Sequence, residues 1–200
     1  ETAIERAGKF FFPHRNLKGR ASRIYAQKLN KLRDLPILIS YHSCESFIYR
    51  GHKVTFLLSE LVEGELLNKF LARQPGKRLS VFQGLHLLHA LALGMEGVHN
   101  MREYHGDLHS ENIIIQRHGI GFKLKLLDFY DYGKAKATDI HDDVCDLIRI
   151  FYDAVGGPDR YAQQPEVVKS ICRGLKRSLI LSRFRHAGQL RQYLETMEWT

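Results

Sequence analysis

The order of apolar and polar positions in the first third of the chain predicts one helix followed by a β-hairpin. Residues 20–33 combine basic side chains with apolar ones at helical spacing, and Pro36 ends that helix. Two short apolar runs follow, at residues 47–49 and 54–58. A polar turn at residues 50–53 joins them, which is typical of two adjacent antiparallel strands.

Beyond residue 63 the pattern becomes helical, and we therefore expect a lobe boundary near that point. After residue 80, apolar residues recur at steps of four and three along one face, which predicts a long helix. These residues are Val81, Leu85, Leu88, Ala92 and Met95. Ser80 can cap the start of this helix. The pattern predicts a partial N-terminal lobe over residues 1–63, with a helix and a hairpin, and a mainly helical C-terminal lobe over residues 64–200.

A second hairpin is predicted in the middle of the chain, where the apolar runs 113–115 and 122–127 flank a Gly-containing turn. Such a hairpin would present Asn112 at the start of one strand and Asp128 at the end of the other, on the same side. The remaining helices are expected over about residues 142–155, 165–181 and 187–196, with a break at Gly156-Gly157-Pro158.

Charge is distributed unevenly over the 200 residues, which carry a net charge of +8. Residues 1–35 have a net charge of +6, residues 160–200 of +5, and the middle of −3. An acidic centre suits Mg²⁺, and basic ends suit an anionic partner such as a phosphorylated sugar, a lipid headgroup or nucleic acid. Solvated helical faces with no partner are the alternative.

The last basic segment predicts a cationic helix face that could meet an anionic membrane. Its cations would be Lys169, Arg173, Lys176 and Arg177. Nucleic-acid binding is the weaker interpretation, because it lacks an aromatic-interleaved motif; its cations would be Arg173, Lys176, Arg177, Arg183 and Arg185. No apolar run approaches the roughly 20 residues that span a bilayer, and no signal peptide is expected. Three widely spaced cysteines indicate reduced thiols and a cytoplasmic protein. The basic ends add the expectation of peripheral contact at the inner face of the membrane.

The chemistry is concentrated in the stretch that ends at Asn112, which has the form His-x-Asp-x-x-x-x-Asn followed by an apolar β-branched run. Asp128 stands sixteen residues later, again behind an apolar run. This layout suits transfer of a phosphoryl group from a nucleotide to a hydroxyl. Asp107 would accept or orient the hydroxyl proton, while Asn112 and Asp128 would hold Mg²⁺ through oxygen atoms.

The run His105-Gly106-Asp107-Leu108-His109, together with Asn112 and Asp128, resembles the catalytic residues of the protein-kinase-like superfamily. The sequence of this loop is similar to that of the atypical branches, namely aminoglycoside and choline phosphotransferases, RIO kinases and bacterial lipopolysaccharide-core sugar kinases. The resemblance covers roughly residues 9 to 155. It implies a two-lobe α+β fold that uses ATP and Mg²⁺.

The resemblance also implies roles around the catalytic loop and in the N-terminal lobe. His105 corresponds to a scaffold residue of the loop, and Asp143 to the residue that braces its backbone. His109 is left open between a substrate contact and a solvated loop histidine. The nucleotide-binding residues would be Lys9, which anchors the phosphates, and the hinge residues whose backbone binds adenine. These hinge residues are Glu60, Leu61 and Val62.

Several departures from the family pattern are visible. The helix glutamate that pairs with the phosphate-anchoring lysine is missing, since residues 6–33 contain no acid and Tyr25 or Gln27 occupies its position. No Gly-rich phosphate loop precedes Lys9, which predicts an incomplete kinase domain. Tyr130 stands where glycine follows Asp-Phe in typical protein kinases.

The length of the segment after Asp128 indicates the chemical class of the acceptor. Only fourteen residues separate Asp128 from Asp143, with no Ala-Pro-Glu anchor for a peptide platform. We therefore expect a small molecule or a glycolipid sugar, such as lipopolysaccharide core, as the acceptor. The alternatives are a RIO-type protein serine kinase, and a pseudokinase that acts as a binding module without catalysis.

Overall fold

The computed structural model describes residues 4–129 and 133–198. The chain divides into two compact units, Glu1–Glu63 and Gly64–Thr200. Both helices and sheets are present, which confirms the predicted α+β class. None of the described helices is long and apolar enough to cross a membrane.

The first unit is a three-stranded antiparallel sheet with one helix packed against it. Its elements are β1 (Arg6–Phe11), α1 (Arg20–Lys31), β2 (Tyr41–Tyr49) and β3 (His52–Glu60). The strand order is β1-β3-β2.

The hairpin in the first unit is confirmed, although both strands extend further than their apolar runs. Arg50 and Gly51 form its two-residue turn, and both have positive φ, at 49° and 76°. This geometry matches the twist of antiparallel strands. The sequence pattern understated β2 because most of its residues are exposed, so backbone pairing with β3 extends it without an apolar run.

The second unit contains a smaller sheet of order β4-β5-β6 and seven helices among its described residues. The strands are β4 (Glu65–Leu66), β5 (Ile113–His118) and β6 (Gly121–Leu126). The helices are α2 (Leu67–Ala72), α3 (Val81–Asn100), α4 (Ala137–Ala154), α5 (Gly157–Tyr161), α6 (Glu166–Cys172), α7 (Arg177–Leu181) and α8 (Ala187–Thr196).

Helix α3 is the central helix of this unit and packs against α4, α8 and β6. Its predicted start is confirmed: the Ser80 hydroxyl accepts the Gln83 N–H at 3.2 Å, and the Gln83 side chain accepts the Ser80 N–H at 3.1 Å. This reciprocal pair satisfies two donors that a helix otherwise leaves open. The predicted apolar stripe is buried from Leu85 to Met95. The helix therefore leads from the core directly into the loop that precedes β5.

The predicted helix over residues 165–181 is wrong, because three successive residues leave the right-handed region. Arg173, Gly174 and Leu175 have φ of 47°, 60° and 57°, and they separate α6 from α7. A right-handed helix cannot continue through such residues, and the conformation is costly for arginine and leucine. The four cations therefore do not share one helix: Lys169 lies in α6 and Arg177 in α7, while Arg173 and Lys176 lie in the connection between these helices. Arg177 instead forms an ion pair with Asp142 of α4.

Candidate active site

The catalytic-loop residues lie between the end of α3 and the start of β5. The Leu127 N–H donates to the Asn112 carbonyl at 2.8 Å, which extends the β5–β6 pairing by one residue. Asn112 therefore stands beside the residue that precedes Asp128. The hairpin predicted from the sequence is present, and it brings these two segments together at one end of the sheet.

Asp143, near the start of α4, is completely buried and accepts hydrogen bonds from the loop backbone. Its Oδ2 accepts the His105 N–H at 2.7 Å, and its Oδ1 accepts the Gly106 N–H at 2.9 Å. Bonds from N–H groups to an ionised acceptor are stronger than neutral ones. One carboxylate thus fixes two consecutive peptide groups immediately before Asp107.

His99, at the end of α3, completes this buried arrangement and was not singled out from the sequence. Its Nε2 lies 3.2 Å from Asp143 Oδ2, and its Nδ1 accepts the Ala187 N–H at 3.2 Å. Because Nδ1 accepts, the proton is on Nε2 and is donated to Asp143. His99 therefore links the first residue of α8 to the carboxylate that holds the loop. Its only sequence signal is a position six residues before His105.

His105 connects the loop to the segment that carries Asp128. Its Nδ1 accepts the Asp107 N–H at 3.3 Å, so Nε2 carries the proton and donates to the Leu127 carbonyl at 2.8 Å. The imidazole is fully buried, and its ring centroid lies 4.4 Å from that of Phe129. The predicted scaffold residue is thus in contact with both segments.

Asp107, Asn112 and His109 form a polar group at the surface of the loop. The Asn112 Nδ2 donates to the Asp107 carbonyl at 2.9 Å and lies 3.4 Å from Asp107 Oδ2. The Asp107 side chain is half exposed, so its carboxylate remains accessible to an acceptor. His109 Nε2 lies 3.7 Å from Asp107 Oδ2 and 3.0 Å from Asn112 Nδ2. The structure therefore places His109 beside both proposed functional side chains.

Asn112 and Asp128 have the donor atoms that Mg²⁺ prefers. No hydrogen bond within the described residues engages Asn112 Oδ1, because Nδ2 makes the contacts to the loop. Asp128 is exposed, lies two residues after the end of β6 and has φ of 54°, a conformation that aspartate tolerates better than most residues. One amide oxygen and one carboxylate fit a hard cation that also takes phosphate oxygens. Within residues 4–129 and 133–198, no three His, Cys, Asp or Glu side chains form a metal-binding cluster of their own.

Asp146 lies one turn after Asp143 in α4 and is partly buried. Burial and, to a smaller extent, the nearby carboxylates of Asp143, Asp142 and Asp107 raise the pKa of its carboxyl, Arg177 lowers it, and together they bring it to about 7. Asp146 is therefore a partly buried acid whose charge is coupled to that of Asp107.

The residues expected to bind the nucleotide lie in the first unit. Glu60 ends β3, and its N–H donates to the Ser40 carbonyl at 2.9 Å. Among the described residues, no hydrogen bond engages the backbone of Leu61 or Val62. Lys9 lies in β1 with its Nζ 4.4 Å from the centre of the Tyr25 ring. Tyr130 lies outside the described residues.

Residues 23–141 match the family described as protein tyrosine and serine/threonine kinase. A comparison with curated proteins finds no match. The matched range includes the whole catalytic loop and Asp128, and it leaves out Lys9 and Asp143. It covers more than half of the chain and agrees with the two-unit α+β architecture. The chain therefore belongs to the protein tyrosine and serine/threonine kinase family.

Proposed function

We propose that this protein is an ATP- and Mg²⁺-dependent kinase that phosphorylates a hydroxyl of a small molecule or a glycolipid sugar. The observation that carries the proposal is that hydrogen bonds from neighbouring side chains hold the backbone of the catalytic loop in place. Asp143 holds the backbone before Asp107, and Asn112 holds the Asp107 carbonyl, while the Asp107 carboxylate stays exposed. Such preorganisation keeps a catalytic carboxylate in place without further rearrangement during the reaction.

In the proposed reaction the acceptor oxygen attacks the γ-phosphorus of ATP, and the bond from that phosphorus to the bridging oxygen breaks to release ADP. Asp107 takes the proton that leaves the hydroxyl. Asn112 and Asp128 would hold Mg²⁺, which neutralises charge on the phosphate oxygens. His105 would keep Asp128 in place through Leu127. Lys9 would contact the phosphates, and the backbone of residues 60–62 would contact adenine.

The short connection between the metal-binding segment and α4 supports a non-peptide acceptor. Helix α4 begins at Ala137, nine residues after Asp128, which leaves little chain for a peptide platform. This favours the atypical branches, and among them the lipopolysaccharide-core sugar kinases. Contact with an anionic membrane surface is supported by the net charge of +8 alone, since the continuous cationic helix is not formed.

A protein acceptor is the second candidate, and the description of the matched family is consistent with it. The matched family is that of protein tyrosine and serine/threonine kinases, and its members are named for protein substrates. A RIO-type serine kinase would agree both with that match and with the sequence of the catalytic loop. A pseudokinase is the third candidate, supported by the absence of any acid in residues 6–33.

Transfer of label from γ-labelled ATP to acceptor pools tests the proposal. We expect labelled lipopolysaccharide-core or small-sugar products and unlabelled generic peptides. Asp107→Asn should lower turnover about 10²–10⁴-fold, which is the usual contribution of a positioned base. Glu111→Gln is a matched control, because Glu111 is exposed in the same loop and, among the described residues, its side chain has a hydrogen bond only with Asn68.

Equal turnover of Asp107→Asn and the parent at saturating acceptor would contradict the role of Asp107. Label in peptides but not in sugars would favour the protein kinase candidate. Binding of ATP without transfer to any pool would favour the pseudokinase.

A further inference from the structure

The ammonium group of Lys9 lies against two aromatic rings of the first unit. Its Nζ is 4.4 Å from the ring centre of Tyr25 and 5.9 Å from that of Phe11. The two ring centres are 5.8 Å apart with a tilt of 57°. An ammonium group within about 6 Å of a ring centre is attracted by the negative face of the π system.

Both the lysine and the rings are fixed by the fold. Lys9 and Phe11 lie on the partly buried face of β1, and Lys9 pairs with Leu57 in the central strand of the sheet. Tyr25 belongs to the buried face of α1 and is only 7% exposed. The position of the Tyr25 ring is therefore set by the packing of α1 on the sheet.

The composition of α1 also explains why this helix contributes a ring. Residues 6–33 contain no aspartate or glutamate, so the helix that faces Lys9 offers no carboxylate. An aromatic ring orients the ammonium through the negative face of its π system and adds no formal charge of its own.

We propose that Tyr25 is the positioning residue for Lys9, and that its ring, supported by Phe11, takes the place of the helix glutamate of other kinases. The inference rests on the proposed function, since it assigns Lys9 to the nucleotide phosphates. It predicts that α1 affects nucleotide affinity through an aromatic side chain.

A double-mutant cycle on MgADP affinity, measured by calorimetry on the full chain, tests this inference. Tyr25→Leu should weaken MgADP binding about 3- to 30-fold, the range expected for loss of a partly desolvated cation–π contact. The same substitution in a Lys9→Met background should change the affinity less than about 2-fold. Tyr25→Phe, which keeps the ring, should bind within about 2-fold of the parent. Phe11→Leu should give a smaller loss than Tyr25→Leu, and it tests the inference if Tyr25→Leu fails to fold.

An equal loss from Tyr25→Leu in both backgrounds would overturn the inference, because the effect would not pass through Lys9. An equal loss from Tyr25→Phe and Tyr25→Leu would also overturn it, because the hydroxyl and not the ring would matter. A parent protein that does not bind MgADP would overturn the proposed function and this inference with it. Binding that depends on Lys9 but shows no coupling to Tyr25 or Phe11 would overturn the inference alone.

Discussion

Asp143→Asn should destabilise the second unit strongly although the two side chains have almost the same shape. The Asp143 carboxylate accepts from two loop N–H groups and from His99 Nε2, and none of these donors can be rehydrated while the site stays buried. The amide of the variant keeps one oxygen as an acceptor and has an NH2 group in place of the other. This NH2 group is a donor and would face one of the N–H donors that the carboxylate accepts from. Bonds to charged groups contribute about 1.5–3 kcal/mol each, without strict additivity.

We therefore expect a loss of about 3 kcal/mol for Asp143→Asn. A chain of this size loses roughly 2–4 °C in Tm per kcal/mol, so the midpoint should fall by about 6–12 °C. Amide hydrogen exchange at His105 and Gly106 should also accelerate, because their acceptor is changed. The assays are thermal and urea unfolding, followed by exchange measurements on peptides that cover residues 104–108.

Asp142→Asn is the matched control for this experiment. Asp142 is the preceding residue of α4, its side chain is 56% exposed, and it pairs with Arg177 at the surface. Exposed ion pairs contribute less than about 1 kcal/mol, so the midpoint should change by only a few degrees. Similar losses for the two variants, or unchanged exchange at His105 in Asp143→Asn, would refute the bracing role of Asp143.

Two further predictions concern the start of α3 and the partly buried acid Asp146. Ser80→Ala should cost about 1 kcal/mol in urea unfolding, because the capping box at the start of α3 is lost; an unchanged midpoint would contradict the cap. Asp146→Asn should raise Tm more at pH 8 than at pH 5. Burial and, to a smaller extent, nearby carboxylates raise the pKa of Asp146 to about 7, so the folded parent loses stability as pH rises from about 4 through 7, and the amide does not. A stability difference that is independent of pH would contradict this assignment.

The sequence predicted most reliably those elements whose signal is local. The helix that starts at Ser80 has both a capping pair and a long apolar stripe, and the hairpin before Asp128 has two apolar runs around a glycine turn. These signals depend on residues that are close in sequence, so they can be recognised without knowledge of the tertiary structure. The break between α6 and α7 had no such signal, because Arg173 and Leu175 rarely adopt positive φ.

The sequence predicted the candidate site residues but not the contacts that support them. Asp107, Asn112 and Asp128 were predicted from one motif and its spacing, and their roles stay predictions. His99 contacts Asp143 across 44 positions of the chain, and the Tyr25 ring lies over Lys9 across sixteen. Such contacts depend on how helices and strands pack, and side-chain type alone does not reveal them.

Metal-dependent nucleotide binding is the most direct test of the central claim. Calorimetry of ATP binding to the full chain, with Mg²⁺ and then with excess chelator, should show affinity that depends on the metal. Asp128→Ala should lower the affinity in Mg²⁺ and remove most of the difference between the two conditions, because the triphosphate needs a bridging cation. Identical ATP binding with and without chelator, or an Asp128→Ala variant that binds like the parent, would contradict a Mg²⁺-dependent kinase site at Asn112 and Asp128.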